Sequence, residues 1–437
     1  MNLPSANDSR PEATRSTRAA ERLVLAGAAI AIAGSAWLVD PFAEAAFDAP
    51  KRAAVLGGAA LGALGLARDG TAPHWRRWSR GARAIAACLL LLVGWWFVAA
   101  LASPHADVAW PAFRRSLLFL LLLPIGASRA LDGRGGRLLL GLFALACASN
   151  ALLSLAQFGG LELPFEVAQI GGRFKTGALL GNEGYVSLAC AMLGAAGAAI
   201  AACATQPRAR MLGAAALAVA IATIAANRQA TSAAALLVAA VVVVALRCDA
   251  RRFVVLVFAA LALVATSALV PPLRAASWER LPLGVDGYQR LTTYRLGAWA
   301  AALDMAAARP WTGYGPGTYG AEQQVHRFDV EIATRARFVH PLGATFVYAH
   351  EDWLQLAAEA GWPALLLALA AAGALLHGLL RLARGAADVE RAVLLALLAT
   401  GMVAALAWFP MQIPLTASAL LLATGRAWRL LAGEATR

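Results

Sequence analysis

Apolar runs of about twenty residues, divided by short polar or basic stretches, recur along nearly the whole 437-residue chain. Hydrocarbon offers backbone groups no water, so only helices of about 20 apolar residues or closed barrels can cross it. The runs predict twelve helical spans, at roughly 23–39, 53–67, 84–102, 114–128, 138–158, 184–203, 211–226, 231–247, 253–270, 363–380, 392–409 and 413–430. None alternates with the period of two that a barrel strand needs. The expected fold class is all-α, a polytopic membrane protein of about 12 transmembrane helices. The spans at 53–67 and 211–226 are short and rich in Ala and Gly. Small residues there are expected to let helix backbones approach closely.

Composition agrees with this pattern. Hydrophobic residues make up 60% of the chain and charged residues only 14%, against about 25% charged in a soluble domain. The net charge of +13 comes from 38 basic residues, all Arg except Lys51 and Lys175. They cluster between apolar runs, which reads as a topology signal and excludes a nucleic-acid surface. With the N-terminus inside, 23 Lys and Arg fall on the inner side and 7 in the short outer loops. Both termini are therefore expected in the cytoplasm. Trp37, Trp110, Trp362 and Trp428 stand near span ends, where interfacial aromatics belong. The five cysteines (Cys88, Cys147, Cys190, Cys203 and Cys248) lack metal-ligand spacing and read as packing residues.

The expected organisation is a disordered polar N-terminus at 1–22, spans at 23–270, a long outward loop at 271–361, and the last spans with the C-terminus at 362–437. A loop of that length is usually functional. Within it, Asp286 to Arg309 reads as a helix capped by Asp286 and stopped by Pro310, with Leu291, Arg295 and Trp299 on one face. "RPWTGYGPGTYG" reads as a turn, because no strand precedes it as a nucleotide loop would require. A second helix from about Ala349 to Glu359 should stop at Gly361, with Pro363 opening the next span.

Four outward patches carry candidate chemistry: Arg173, Lys175, Asn182 and Glu183 in "GGRFKTGALLGNEGYVS", Arg228 in "NRQATS", Arg295, and His350 in "VYAHEDWLQLAAEAG". Arginine suits phosphate, since its planar fork makes two parallel charge-assisted bonds and stays charged. Arg228 is the sole charge of a tight turn on the side that the basic bias should spare. A single arginine reads equally well as an interface anchor; Arg173, Arg228 and Arg295 together point to anion binding. His350 heads a short helix beside Glu351 and Asp352, and an imidazole there can take a proton from a hydroxyl. An isolated His is more often structural, and the stripe of Glu351, Gln355 and Glu359 reads equally as a solvated face. The loop aromatics Tyr288, Tyr294, Tyr314, Tyr319, Tyr348, Trp299, Trp311 and Trp353 suit either sugar rings or the core of an ordered loop.

These residues carry a resemblance. "AHEDWLQLAAEAG", with His350, Leu354 and Gly361, resembles the hallmark of the O-antigen ligase and O-antigen polymerase superfamily. "RLGAWAAALDMAAARPWTGYGPGTYG", "GGRFKTGALLGNEGYVS" and "NRQATS" resemble the accompanying segments in the same order, over roughly residues 170 to 365. Position 351 departs from the pattern, being Glu where the family usually has Asn, Ser or Gln. The resemblance implies a glycosyltransferase of the bacterial inner membrane, with its site and long loop facing the periplasm. It would use no metal, cofactor or nucleotide sugar. The donor would be a glycan on undecaprenyl diphosphate, whose diphosphate the arginines would hold, and His350 would activate or orient an acceptor hydroxyl. His350, Arg228 and Arg295 would then be catalytic, and Arg173, Lys175, Asn182, Glu351, Tyr294 and Trp299 would bind substrate. A lipid A-core acceptor would make a ligase, a second lipid-linked chain a polymerase, and a protein Ser or Thr an oligosaccharyltransferase. A polysaccharide flippase is the alternative from another class, but transporters place charges at mid-bilayer, and here the charges gather outside the spans.

Overall fold

The computed structural model describes residues 15–43, 45–69, 78–165, 175–247, 284, 287, 289, 292, 294–335, 346–385 and 388–433. Arg173, Cys248, Asp286, Tyr288, Leu291 and the expected span at 253–270 lie outside the described residues, as does most of the expected disordered N-terminus.

The described residues are helical, without strands. In chain order the helices are α1 (Arg15–Trp37), α2 (Ala49–Asp69), α3 (Arg80–Leu101), α4 (Ala106–Leu120), α5 (Leu122–Gly126), α6 (Arg134–Phe158), α7 (Glu183–Cys203), α8 (Pro207–Ala226), α9 (Ala230–Arg247), α10 (Leu296–Ala308), α11 (Tyr319–Ala333), α12 (Asp352–Gly385), α13 (Val389–Ala404) and α14 (Pro414–Gly433). Their starts follow local chemistry. Ser79 caps α3 by accepting from the Ala82 N–H at 3.1 Å, and Pro207 opens α8.

Eight helices among the described residues are long and apolar enough to cross a membrane, including α4 with α5 as one run and α12. This is a polytopic helical membrane protein, and of the eleven expected spans that lie among the described residues, eight meet that measure. The shortfall has physical reasons. Helix α2 is diluted by Ala and Gly and flanked by Lys51, Arg52, Arg68 and Asp69; α13 ends at Ala404; and α14 carries Arg426 and Arg429. Helix α7 is the central one, with 78% of its apolar window buried. Outer helices turn large apolar side chains such as Leu90, Leu91, Met211 and Leu212 outward, as a lipid-facing surface does.

The two small-residue spans pack as expected. A Cβ on Gly27 of α1 would stand 2.4 Å from the Gly58 carbonyl oxygen of α2. A Cβ on Gly197 of α7 would stand 2.6 Å from that of Gly213 on α8. Backbones this close exclude any larger residue.

Successive helices run up and down, so the connections gather at two ends. At one, Arg426 pairs with Asp132 and Glu390, Arg429 with Asp132, and Trp428 donates to the Ala82 carbonyl at 2.8 Å. At the other, Ser103 donates to the Tyr314 carbonyl at 2.6 Å, and the Gln157 side chain accepts from the Ala178 N–H at 2.8 Å. The candidate residues among those described belong to this second end.

The long loop departs from expectation in two places. The expected helix is broken: Gly287 and Gln289 are helical, but α10 starts at Leu296, because Tyr294 has a φ of 60° and Arg295 sits at the cap position. Helix α11 was read as loop. Its buried residues, Tyr319, Gln323 and His326, are largely polar, so no apolar period marks it.

Candidate active site

The site is built around a nine-residue helix, Asp352 to Ala360, split from the rest of α12 at Gly361. There φ is 77° and ψ is 174°, a conformation open almost only to glycine. The "RPWTGYGPGTYG" turn seals the break. Tyr314 and Gly315 donate their N–H groups to the Ala358 and Glu359 carbonyls at 3.0 and 2.8 Å, and Trp362 donates to the Pro310 carbonyl at 2.9 Å. The end of the short helix is thus satisfied by backbone from the turn.

The polar stripe of this helix is not a solvated face. Glu351, Gln355 and Glu359 are 4%, 4% and 5% exposed. Gln355 accepts from the Ala349 N–H at 3.1 Å and donates to Glu359 at 3.0 Å. Glu359 in turn accepts from the Gly317 N–H at 2.8 Å. The stripe ties the residue before His350 to the turn.

Glu351 accepts from the Leu354 N–H at the start of the helix, so its carboxylate serves as an N-cap. Of the residues usual at this position in the resembling family (Asn, Ser or Gln), Asn and Ser are strong N-caps, and Glu351 fills the same role. Burial pushes the Glu351 carboxyl up from its ordinary value to about 7. A pKa above the unfolded value of about 4.3 means that the folded chain holds the proton longer, so this contribution to stability is full at low pH and is lost as pH rises through about 7. Glu351→Gln keeps an acceptor for the cap and removes the titration. Its thermal midpoint in detergent is expected to fall less between pH 5 and pH 8 than that of the parent; equal slopes would show that Glu351 does not titrate in this window.

His350 precedes the helix with a φ of 56°. Its ring lies 4.6 Å from Phe409, 5.3 Å from Phe346 and 5.8 Å from Trp408, centroid to centroid. Trp408 and Phe409 stack on each other at 5.0 Å and 22°. They belong to the connection at 405–413, which sequence reading placed partly inside a span. Asp352 holds that connection. Its N–H donates to the Ala405 and Trp408 carbonyls at 3.1 and 3.2 Å, and its carboxylate accepts from the Met411 N–H at 2.8 Å.

Arg295 is 7% exposed, with its guanidinium 4.1 Å from the Trp408 ring centroid. The cation–π contact with the indole holds the guanidinium against this ring. Since His350 contacts the same indole, the guanidinium and the imidazole lie within about 10 Å of each other. The Trp408 indole N–H is buried without an acceptor among the described residues.

The other candidates distribute as follows. Asn182 caps α7, accepting from the Gly184 N–H at 2.8 Å. Gly184 abuts Trp408, whose ring would lie 2.5 Å from a Cβ there. Arg228 is exposed, with a φ of 52°. Its neighbours Asn227 and Gln229 donate to the Glu183 carbonyl and carboxylate, each at 3.4 Å. The second and first patches therefore meet, but no hydrogen bond or ion pair joins Arg228 to Arg295 or His350. Lys175 is exposed beside Thr176, whose carbonyl accepts from Ser154 at 2.7 Å. Tyr294 is half-buried at the break before α10. Trp299 is half-buried one turn into that helix, its indole N–H buried without an acceptor among the described residues.

Sequence reading missed several groups at this end. Arg52 of α2 pairs with Asp48 at 2.5 Å. His326 bridges Asp304 at 2.7 Å and the Tyr314 hydroxyl at 2.8 Å, fixing the turn to α10 and α11. Arg52 carried the same signal as Arg228, a basic residue on the outer side, and Trp408 and Phe409 carried none beyond hydrophobicity.

Chemically, the cluster offers a fixed cationic fork, an imidazole, and aromatic surface between them. No curated protein matches the chain. Residues 193–369 match the O-antigen ligase family, a stretch that includes Arg228, Arg295 and His350, and this similarity supports the O-antigen ligase and polymerase superfamily.

Proposed function

We propose that the chain is a glycosyltransferase that moves a glycan from undecaprenyl diphosphate to an acceptor hydroxyl at the outer face of the bacterial inner membrane. The observation that carries the reading is the approach of Arg295 and His350, both within the segment that matches the family, to the same indole of Trp408. The acceptor oxygen attacks the anomeric carbon, and its proton passes to His350. The bond from the anomeric carbon to the diphosphate breaks, and undecaprenyl diphosphate leaves with the electron pair. Arg295, with Arg228 from the neighbouring turn, binds the diphosphate and stabilises the charge that develops on it. Arg173 and Lys175 add positive charge for the donor, and Tyr294 and Trp299 offer flat faces to its sugars. Asn182 and Glu351 act through the helix starts that they cap. The chain's own groups carry every step, without metal or cofactor.

The acceptor we favour is lipid A-core, which makes the activity a ligase. A second lipid-linked glycan (polymerase) or a protein hydroxyl (oligosaccharyltransferase) would use the same groups. The test is reconstitution of the purified chain in proteoliposomes with a lipid-linked glycan and each acceptor class in turn. A covalent glycan–acceptor product is the expected result. Intact donor moved to the opposite leaflet, with no product, would favour the flippase alternative and overturn the reading.

A further inference from the structure

We infer that Arg52 of α2, outside the segment that matches the family, is a positioning residue for the imidazole of His350. The inference rests on the proposed role of His350 in taking the acceptor proton. Arg52 makes its bonds from one planar group. Nε donates to Asp48 at 2.5 Å, and Nη2 donates to the Gln412 carbonyl at 2.9 Å and to the Tyr348 hydroxyl at 3.4 Å. Tyr348 lies two residues before His350, and Gln412 lies three residues after Phe409. One guanidinium therefore holds both chain segments between which the imidazole is lodged.

The packing carries this anchor to the imidazole. Tyr348 stacks on Phe409 at 5.5 Å and 24°, and Phe409 meets His350 edge-on at 4.6 Å and 75°. Phe409 continues the stack onto Trp408, which bears Arg295 on its face. Arg52 and Arg295 thus hold the two ends of one aromatic stack, with the imidazole against its middle. The left-handed backbone of His350 needs such support, because a non-glycine residue persists there only where its surroundings over-determine it. Pairing with Asp48 offsets the charge of Arg52 and makes it a poor ligand for a diphosphate. A lysine could reach one of these acceptors but not all of them in one plane.

The test uses the full-length chain in nanodiscs, with Arg52→Lys, Tyr348→Phe and the double variant. Two readouts are taken. The first is the imidazole resonance of His350 in ¹⁵N-histidine spectra, assigned by its loss in His350→Gln. The second is steady-state glycan transfer. Both single variants are expected to shift the His350 resonance. Arg52→Lys is expected to lower kcat by about 10- to 100-fold, the scale of a small misplacement, with KM for the donor changed by less than about threefold. The double variant should be no worse than Arg52→Lys, because both changes break one chain of contacts. Tyr348→Phe removes a single oxygen, so it carries the test if Arg52→Lys does not fold. A His350 resonance unmoved in the folded variants, or a raised KM with kcat intact, would overturn the inference. A shifted resonance in a chain whose parent shows no transfer would leave Arg52 as the anchor and refute the proposed reaction instead.

Discussion

His350→Ala is expected to lower glycan transfer by about 10²–10⁴-fold, the range over which a positioned general base contributes, with donor binding and the amount of folded protein nearly unchanged. The separation follows from the site. The donor's diphosphate is assigned to arginines on other segments, whereas the imidazole belongs to the proton. The contacts that hold the short helix are made by Asp352, Gln355 and Glu359, so removing the imidazole leaves those anchors in place. Loss of the ring does remove packing against Phe409 and Phe346, which should appear as a modest fall in thermal midpoint. Transfer rate, donor binding and melting measured on one preparation check the point. A fall in transfer that only tracks a fall in folded protein would make His350 a packing residue.

Gly361→Ala is expected to be nearly as damaging without touching a reacting group. An alanine Cβ there would stand 2.0 Å from the Trp311 carbonyl oxygen and 2.4 Å from the Trp311 carbonyl carbon. Both are backbone atoms that cannot swing away. The backbone conformation alone costs a non-glycine residue roughly 1–3 kcal/mol. The relief is for the break to move, which drags the nine-residue helix, the turn that caps it and the position of His350. Transfer should fall by about 10²-fold or more, since a displacement of 1 Å is enough for that, and the melting temperature should fall too. Gly373→Ala is the control, because a Cβ there meets nothing within 4 Å and helix propensity favours alanine by about 0.5–1 kcal/mol. Wild-type transfer and melting in Gly361→Ala would show that the kink does not set the site.

The sequence announced some parts of this arrangement and hid others, for reasons that can be named. The Gly361–Pro363 break was legible because each residue has one conformational use, and the close helix pairs were legible from the glycines of α2 and α8. The stripe of Glu351, Gln355 and Glu359 was ambiguous, since a polar helical period looks the same facing water or facing backbone donors. Its burial is visible only once the turn at 310–318 lies against it. Trp408 and Phe409 were absorbed into a span because hydropathy cannot separate lipid-facing from site-lining aromatics. The break at Tyr294 was missed because nothing in a tyrosine signals positive φ, and it changes Arg295 from a helix-face residue to one standing just before a helix. Arg52 was counted as a topology marker, although the same reasoning that singled out Arg228 applies to it.

In the proposed reaction the diphosphate linkage of a lipid-borne glycan is broken as a new glycosidic bond is made. The most direct measurement is a mole balance in proteoliposomes containing the chain, a lipid-linked donor and lipid A-core, with EDTA present. Undecaprenyl diphosphate released should equal glycan transferred, mole for mole, with both rising together and both absent when His350 is alanine. Donor consumed without new glycosidic product, or product formed only when a divalent cation is restored, would rule this reaction out.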